Sequence, residues 1–323
     1  MKRVAKPEGQ YNIVIEKVGT PSISSTQVLV KAQRSLISRG SEIWGRYVRS
    51  EAVDPRAMGY SLAGEVVAVG DNVAGLAVGD RVAASAPHAE FAAVEATGPI
   101  HAPRVVKLPE EIPVEAATFW PLTTSSVLWM AESGIRSGQT MVILGQGLVG
   151  SCCMQVAKAT YGARVIAVDS LPLRCGLAAE LGADDVVDAS EEDPVEAVRR
   201  LTNDEGADVV VEAVGGRAAP TAFEQAQEMV RRGGLLQILG LHGKDPLPLN
   251  AARIQGRRLI GGYMDTLNRW EGSARTLDHL SRGTVAAARM ITHRFPFAEA
   301  SAAFDLLYKR LGETLGVILV CEE

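Results

Sequence analysis

The run Gly145-Gln146-Gly147-Leu148-Val149-Gly150 directly follows Thr140-Met141-Val142-Ile143-Leu144 and opens a stretch with helical spacing. Glycines so placed suit the binding of a dinucleotide phosphate bridge. Gly145 permits the tight turn, Gly147 lets a pyrophosphate approach the backbone, and Gly150 lets helix and strand pack closely. The helix start adds amide N–H groups and a partial positive charge. The next apolar run, 164–169, ends in Asp169, nineteen positions after Gly150. A carboxylate there accepts hydrogen bonds from the adenine-ribose hydroxyls and repels a 2′-phosphate, which favours NAD over NADP; Arg174, a few residues on, works the other way. Asp169 also reads as a cap for the helix starting at Pro172, and the two roles are compatible. Val214, Gly240 and Leu241, at the ends of two further apolar runs, are assigned to the same cofactor. His242 falls at the carboxyl end of the sheet, where such folds bind ligands, and is either a catalytic candidate or a solvated loop residue.

The elements that position these residues divide the chain. The first third carries short β-like runs punctuated by glycine and proline, at 12–16, 27–32, 64–69, 80–83 and 89–94. That pattern predicts a β-rich module. From about Pro113 the pattern changes, with helical spacing over 114–134. Buried parallel strands are predicted over 140–144, 164–169, 207–213 and 235–241, with helices over 148–161, 172–181, 194–202 and 218–231. Such alternation implies an α/β class with a right-handed, doubly wound sheet. A helix over 297–311 and a strand over 316–320 follow, and are expected to return to the first module. The expected domains are therefore 1–118, completed by 265–323, and 119–264.

At 323 residues and 47% apolar content the chain can bury two cores, and its net charge of −5 is spread without a basic surface for nucleic acid or anionic lipid. No stretch approaches the roughly 18 apolar residues of a membrane helix. Cys152, Cys153, Cys175 and Cys321 lack Cys-x-x-Cys spacing and read as buried thiols in a reducing compartment, so a soluble cytoplasmic protein is expected.

The chain resembles the medium-chain dehydrogenase/reductase superfamily nearly end to end. The resemblance rests on Gly64-Glu65-Val66-Val67-Ala68-Val69-Gly70 with Gly79-Asp80-Arg81-Val82, on Leu181-Gly182-Ala183-Asp184, and on 297–307. It implies a GroES-like catalytic domain beside the Rossmann domain, an active site in the cleft between them, and a homodimer or homotetramer. Leu36-Ile37-Ser38-Arg39-Gly40-Ser41-Glu42 and Met58-Gly59-Tyr60-Ser61 resemble an Ile-Ser-x-Gly-Thr-Glu subgroup that includes bacteriochlorophyllide dehydrogenases and dehydrogenases of sugars or cyclitols. Thr123 and Thr124, after Trp120-Pro121-Leu122, resemble the family's threonine near the nicotinamide.

Zinc-dependent relatives carry a cysteine and a Gly-His-Glu motif, because tetrahedral zinc needs thiolate and imidazole ligands with one open position. Here Ser38 stands in the cysteine region and Tyr60-Ser61 where His-Glu is expected. The structural zinc lobe is absent too, since Arg81-Val82-Ala83 leads almost at once to His88-Ala89-Glu90-Phe91. The spacing of Glu42, His88 and His101 suits no known metal arrangement, so no metal is expected. Without a Lewis acid the substrate oxygen needs a proton donor or hydrogen-bond donors. Tyr60 is the first candidate, with Ser38 and Ser41 to orient it; the alternatives are a tyrosine that merely lines the cleft and serines that merely make a turn. Glu42 is either catalytic or a helix N-terminal charge. His279 and His293 read as structural or surface residues.

Three functions compete. The first is zinc-independent hydride transfer between NAD(H) and a small alcohol or ketone, such as a sugar or cyclitol. The second is reduction of an activated C=C bond, as in quinone or enoyl reductases using NAD(P)H. The third is a non-catalytic dinucleotide-binding sensor or structural protein.

Overall fold

The computed structural model describes residues 1–97, 102–241, 246–262 and 268–321. Contacts divide the chain into one unit of Met1–Thr124 with Asn268–Glu323 and a second of Ser125–Leu267.

The strands in chain order are β1 (Lys2–Ala5), β2 (Val14–Lys17), β3 (Gln27–Ile37), β4 (Leu62–Val69), β5 (Arg81–Ala84), β6 (Phe91–Glu95), β7 (Val105–Lys107), β8 (Thr140–Leu144), β9 (Arg164–Asp169), β10 (Asp185–Asp188), β11 (Ala207–Glu212), β12 (Val230–Ile238), β13 (Arg258–Gly261), β14 (Ile291–Pro296) and β15 (Gly316–Val320).

In the first unit one sheet runs β14-β15-β3-β4-β5-β7, with β6 also pairing β3. Alternation along β3 sends Val28, Val30 and Ala32 into a core shared with Val66, Val82, Phe304 and Leu307. The last strand completes this sheet, for β15 lies antiparallel to β3 with Val317 opposite Ile37. Between β3 and β4 the chain winds through a π-helical segment, Arg39–Tyr47, whose buried face is Glu42, Ile43 and Tyr47. Tyr47 anchors it: the ring packs against Phe304 and Tyr308, and the hydroxyl donates to Asp305 at 2.8 Å on the helix Ala300–Lys309.

The second unit is a parallel sheet in the order β10-β9-β8-β11-β12-β13, in which the two halves diverge from the β8/β11 pair. β8, β9 and β11 are buried almost throughout, as strands covered on both faces must be. The doubly wound α/β class is present. One predicted helix and the strand after it change in extent. The helix expected over 218–231 ends at Met229, and β12 begins at Val230, because Gly233 and Gly234 follow the arginine pair and permit an extended turn into the strand. Edge strands β10 and β13, four residues each, were not expected from their short and partly polar sequences. Among the described residues no helix is long and apolar enough to cross a membrane.

Candidate active site

The phosphate loop sits between β8 and the helix Leu148–Tyr161. Gly145 has φ +90°, and a Cβ on it would meet Val214 Cγ2 at 2.9 Å. A Cβ on Gly150 would lie 1.8 Å from the Gly145 carbonyl oxygen, so any side chain there destroys the turn. Around Gly147 there is open space, where a pyrophosphate can approach the first turn's amides. Gln146 is fully buried, its side-chain amide donating to the Ile143 carbonyl at 2.9 Å.

Asp169 ends β9 almost buried. One carboxylate oxygen accepts from the Gln146 amide at 2.7 Å, and the other accepts from Ser170 at 2.8 Å and Leu171 at 3.0 Å. It thus braces the phosphate loop and also the turn into the helix Pro172–Glu180. Arg174 Nη1 lies 3.6 Å from the same carboxylate, while its buried Nε and Nη2 have no acceptor among the described residues. Those unspent donors are ready for a ligand's sugar or phosphate oxygens. Val214 donates its amide to Glu212, and a Cβ on Gly240 would strike the Val214 carbonyl oxygen at 2.4 Å, so the ends of β11 and β12 pack against each other beside Gly145. Leu241 is exposed. His242 and His101 lie outside the described residues. Thr123 and Thr124 sit in the helix Trp120–Ser133, both buried, and the Thr124 hydroxyl donates to the Trp120 carbonyl at 2.7 Å.

In the first unit the structure brings Ser38, Ser41 and Tyr60 together. The two serine hydroxyls are 3.3 Å apart, and both act on the Tyr60 phenol by favouring its ionised form. Tyr60 is half-buried, but protein crowds its hydroxyl enough that burial raises its pKa above the ordinary 10.0. The serine hydroxyls oppose that shift, since they stabilise the phenolate; the Glu42 charge adds to the rise, and the Arg46 charge opposes it.

Glu42 lies behind this group, fully buried. One oxygen accepts from the Ser38 amide at 2.7 Å, and the other meets His88 Nε2 at 2.7 Å. His88 is equally buried, with Nδ1 2.6 Å from Ser35 Oγ and its ring edge-on to Phe304. Gly59, at φ +101°, leaves room for it: a Cβ there would come within 2.9 Å of the imidazole. Glu42 stands in the first turn of the π-helical segment and accepts from the amide of Ser38 that precedes it, which fits the helix N-terminal reading, while its full burial leaves no surface for contact with substrate. His88, weighed in the sequence only as a metal ligand, is its partner. Forty-six residues separate the two, and no local spacing could have joined them. Arg46 is the other residue the sequence did not single out, and its buried Nη1 has no acceptor among the described residues. His279 bonds Thr284 at 2.8 Å, and burial lowers its pKa. His293 lies on β14 with Nδ1 buried.

A family model described as alcohol dehydrogenase GroES-like domain matches residues 24–102, and one described as zinc-binding dehydrogenase matches 149–279. The chain belongs to the medium-chain dehydrogenase family. It is 29% identical to an L-threonine 3-dehydrogenase of Bacillus licheniformis over 99% of both chains, and 28% identical to a sorbitol dehydrogenase of Bacillus subtilis over 95% of this chain and 94% of that one. Among solved structures it is similar to alcohol dehydrogenase TADH from Thermus sp. ATN1, with a TM-score of 0.85 and 25% identity over the whole of both. As a medium-chain dehydrogenase it is an oxidoreductase that uses a nicotinamide cofactor. Structures of the same fold include one complexed with NADH and one bound to NADP.

Proposed function

We propose that this medium-chain dehydrogenase works without zinc, prefers NAD(H), and interconverts a small alcohol and its ketone with Tyr60 as the proton donor and acceptor. The observation that carries this reading is the phenol of Tyr60 beside two serine hydroxyls, Ser38 and Ser41, that favour its ionised form, where the zinc-binding members present thiolate and imidazole. Phenol and serine oxygens are poor ligands for zinc, which takes thiolate, imidazole or carboxylate. The better donors nearby are already engaged, since both Glu42 oxygens and both His88 nitrogens have protein partners. Among the described residues no three His, Cys, Asp or Glu side chains converge as a metal site.

A bound NAD supplies or takes the hydride. The chain's own part is to hold the dinucleotide on the 145–150 loop, with Asp169 against the 2′-position, and to manage one proton. In ketone reduction the Tyr60 phenol protonates the substrate oxygen as negative charge develops on it; in alcohol oxidation the phenolate takes the hydroxyl proton. The serine hydroxyls stabilise the phenolate and so make both directions accessible. Relatives named as threonine and sorbitol dehydrogenases favour a hydroxylated substrate over an activated alkene.

The test offers polyols, amino alcohols and their ketones, with quinones and enones as controls, to metal-analysed protein with NADH and NADPH. Turnover on a hydroxyl/ketone pair at under about 0.1 zinc per chain, undiminished by a chelator and faster with NADH, is the expected result. Zinc near one per chain whose removal abolishes turnover would overturn the reading, as would binding without turnover on any substrate.

A further inference from the structure

The deepest polar contact of the first unit is one that no step above uses: Glu42 and His88, 2.7 Å apart with no solvent exposure. Counting protons around it limits its states. The Ser35 hydroxyl has one hydrogen, and its oxygen lies 3.1 Å from the Ser61 carbonyl, an acceptor only. If that hydrogen goes to Ser61, then His88 Nδ1, 2.6 Å from Ser35 Oγ, must bring its own. The contact between Nε2 and the Glu42 carboxylate needs a further proton, because two lone pairs facing each other at 2.7 Å repel. The pair then holds net zero charge, either as imidazolium with carboxylate or as imidazole with carboxylic acid. The other arrangement turns the Ser35 hydroxyl to Nδ1 and leaves one unbalanced negative charge in a dry site, which burial disfavours.

Glu42 touches the active group directly. Its second oxygen accepts from the Ser38 amide at 2.7 Å, and the hydroxyls of Ser38 and Ser41, 3.3 Å apart, bear in turn on the Tyr60 phenol. The charged or titratable groups around the phenol are Glu42 and Arg46 on the π-helical segment, with His88 behind Glu42 from the chain after β5.

We propose that His88 is a positioning residue that offsets the charge of Glu42, so that Glu42 can fix Ser38 beside Tyr60 at less cost to the phenol's acidity than a bare carboxylate would impose. The inference rests on Tyr60 as the proton carrier, but its physical core, the charge balance of the pair, is measurable without turnover. Removing His88 leaves Glu42 bare and moves the phenol's ionisation to higher pH. Removing the Glu42 charge as well moves it back. A histidine that only filled space would show no such reversal.

The experiment uses the full chain with 3,5-difluorotyrosine, whose phenols ionise nearer neutrality, observed by 19F NMR; the Tyr60 signal is the one lost in Tyr60→Phe. His88→Gln is expected to raise that ionisation by about one pH unit or more, and Glu42→Gln with His88→Gln to return it to within a few tenths of wild type. Kinetically, His88→Gln should lower kcat with little change in KM for NADH, and the double variant should recover part of the loss. In the unmutated protein, 15N NMR should show His88 Nδ1 carrying a proton at pH 7, a result that needs no variant to fold. An unprotonated Nδ1 would overturn the proposal, as would a Tyr60 titration indifferent to His88→Gln or a shift that Glu42→Gln fails to reverse. If the titrations behave as expected while Tyr60→Phe keeps full turnover, the charge balance stands and the proton-carrier reading falls.

Discussion

The Asp169 carboxylate accepts a hydrogen bond from the Gln146 amide at 2.7 Å, tying the end of β9 to the phosphate loop that follows β8. The residue expected to choose between NAD and NADP therefore also shapes the loop that holds either one. Asp169→Ser removes the charge that repels a 2′-phosphate and leaves Arg174 nearby, so the affinity for NADPH relative to NADH should rise about tenfold, a change of about 1.4 kcal/mol. NADH itself should bind more weakly, because the brace is lost. Calorimetric titration with both dinucleotides reads the two effects separately. An unchanged ratio would place ribose recognition elsewhere.

Gly150 offers a sharper test of the loop. A methyl group there would lie 1.8 Å from the Gly145 carbonyl oxygen, a position no rotamer change relieves. Gly150→Ala should therefore weaken NADH binding by about 100-fold or more, or about 2.7 kcal/mol, as read by quenching of tryptophan fluorescence. Gly147→Ala, at an open position, gives a smaller loss if it only crowds the phosphates. Equal affinities for wild type and Gly150→Ala would mean the dinucleotide does not use this turn.

Tyr60→Phe keeps the ring and deletes the acid. Turnover should fall by roughly 10²-fold or more with NADH affinity unchanged, since general acid catalysis contributes about that much. Ser38→Ala with Ser41→Ala removes the hydroxyls that stabilise the phenolate, so the alkaline limb of ketone reduction should move to higher pH while the maximal rate drops. Full activity in Tyr60→Phe would remove the phenol from the mechanism.

Buried thiols predict an alkaline weakness. Burial pushes Cys153 and Cys321 up to about 12 and Cys175 up to about 11, against an ordinary value of 9.0. The fold thus favours the neutral thiol. The stability this confers is full below pH about 9, where folded and unfolded thiols are both protonated, and is lost as pH rises from there towards 12. The melting temperature should stay level from pH 7 to 9 and decline above it, and a thiol reagent at pH 8 should label the buried Cys153 and Cys321 rapidly only after denaturation. Rapid labelling of Cys153 in native protein would contradict its burial.

What could be read from the residues follows the range of the interactions. The loop at 145–150 and the helix Leu148–Tyr161 were legible because turn chemistry, strand and helix are contiguous. β10 and β13 were not, because four-residue edge strands carry too few apolar positions to show a period. Ser38 and Ser41 had a turn as their alternative reading, yet Ser38 precedes and Ser41 lies within the π-helical segment, which Tyr47 anchors to a helix more than 250 residues away, as the Tyr47–Asp305 bond shows. The trio Tyr60, Ser38 and Ser41 was legible by analogy of position. The pair beneath it was not, since Glu42 and His88 meet only once β3, β4 and β5 have formed one sheet.

That sheet closes late. β3 cannot gain its neighbour β15 until Gly316–Val320 has been made, whereas every strand of the parallel sheet lies before Asn268. On a ribosome the dinucleotide-binding unit can finish while the other waits with a bare strand edge. Loss of the last dozen residues would accordingly harm the proton-handling half first and leave a truncated product that still captures NADH but tends to aggregate.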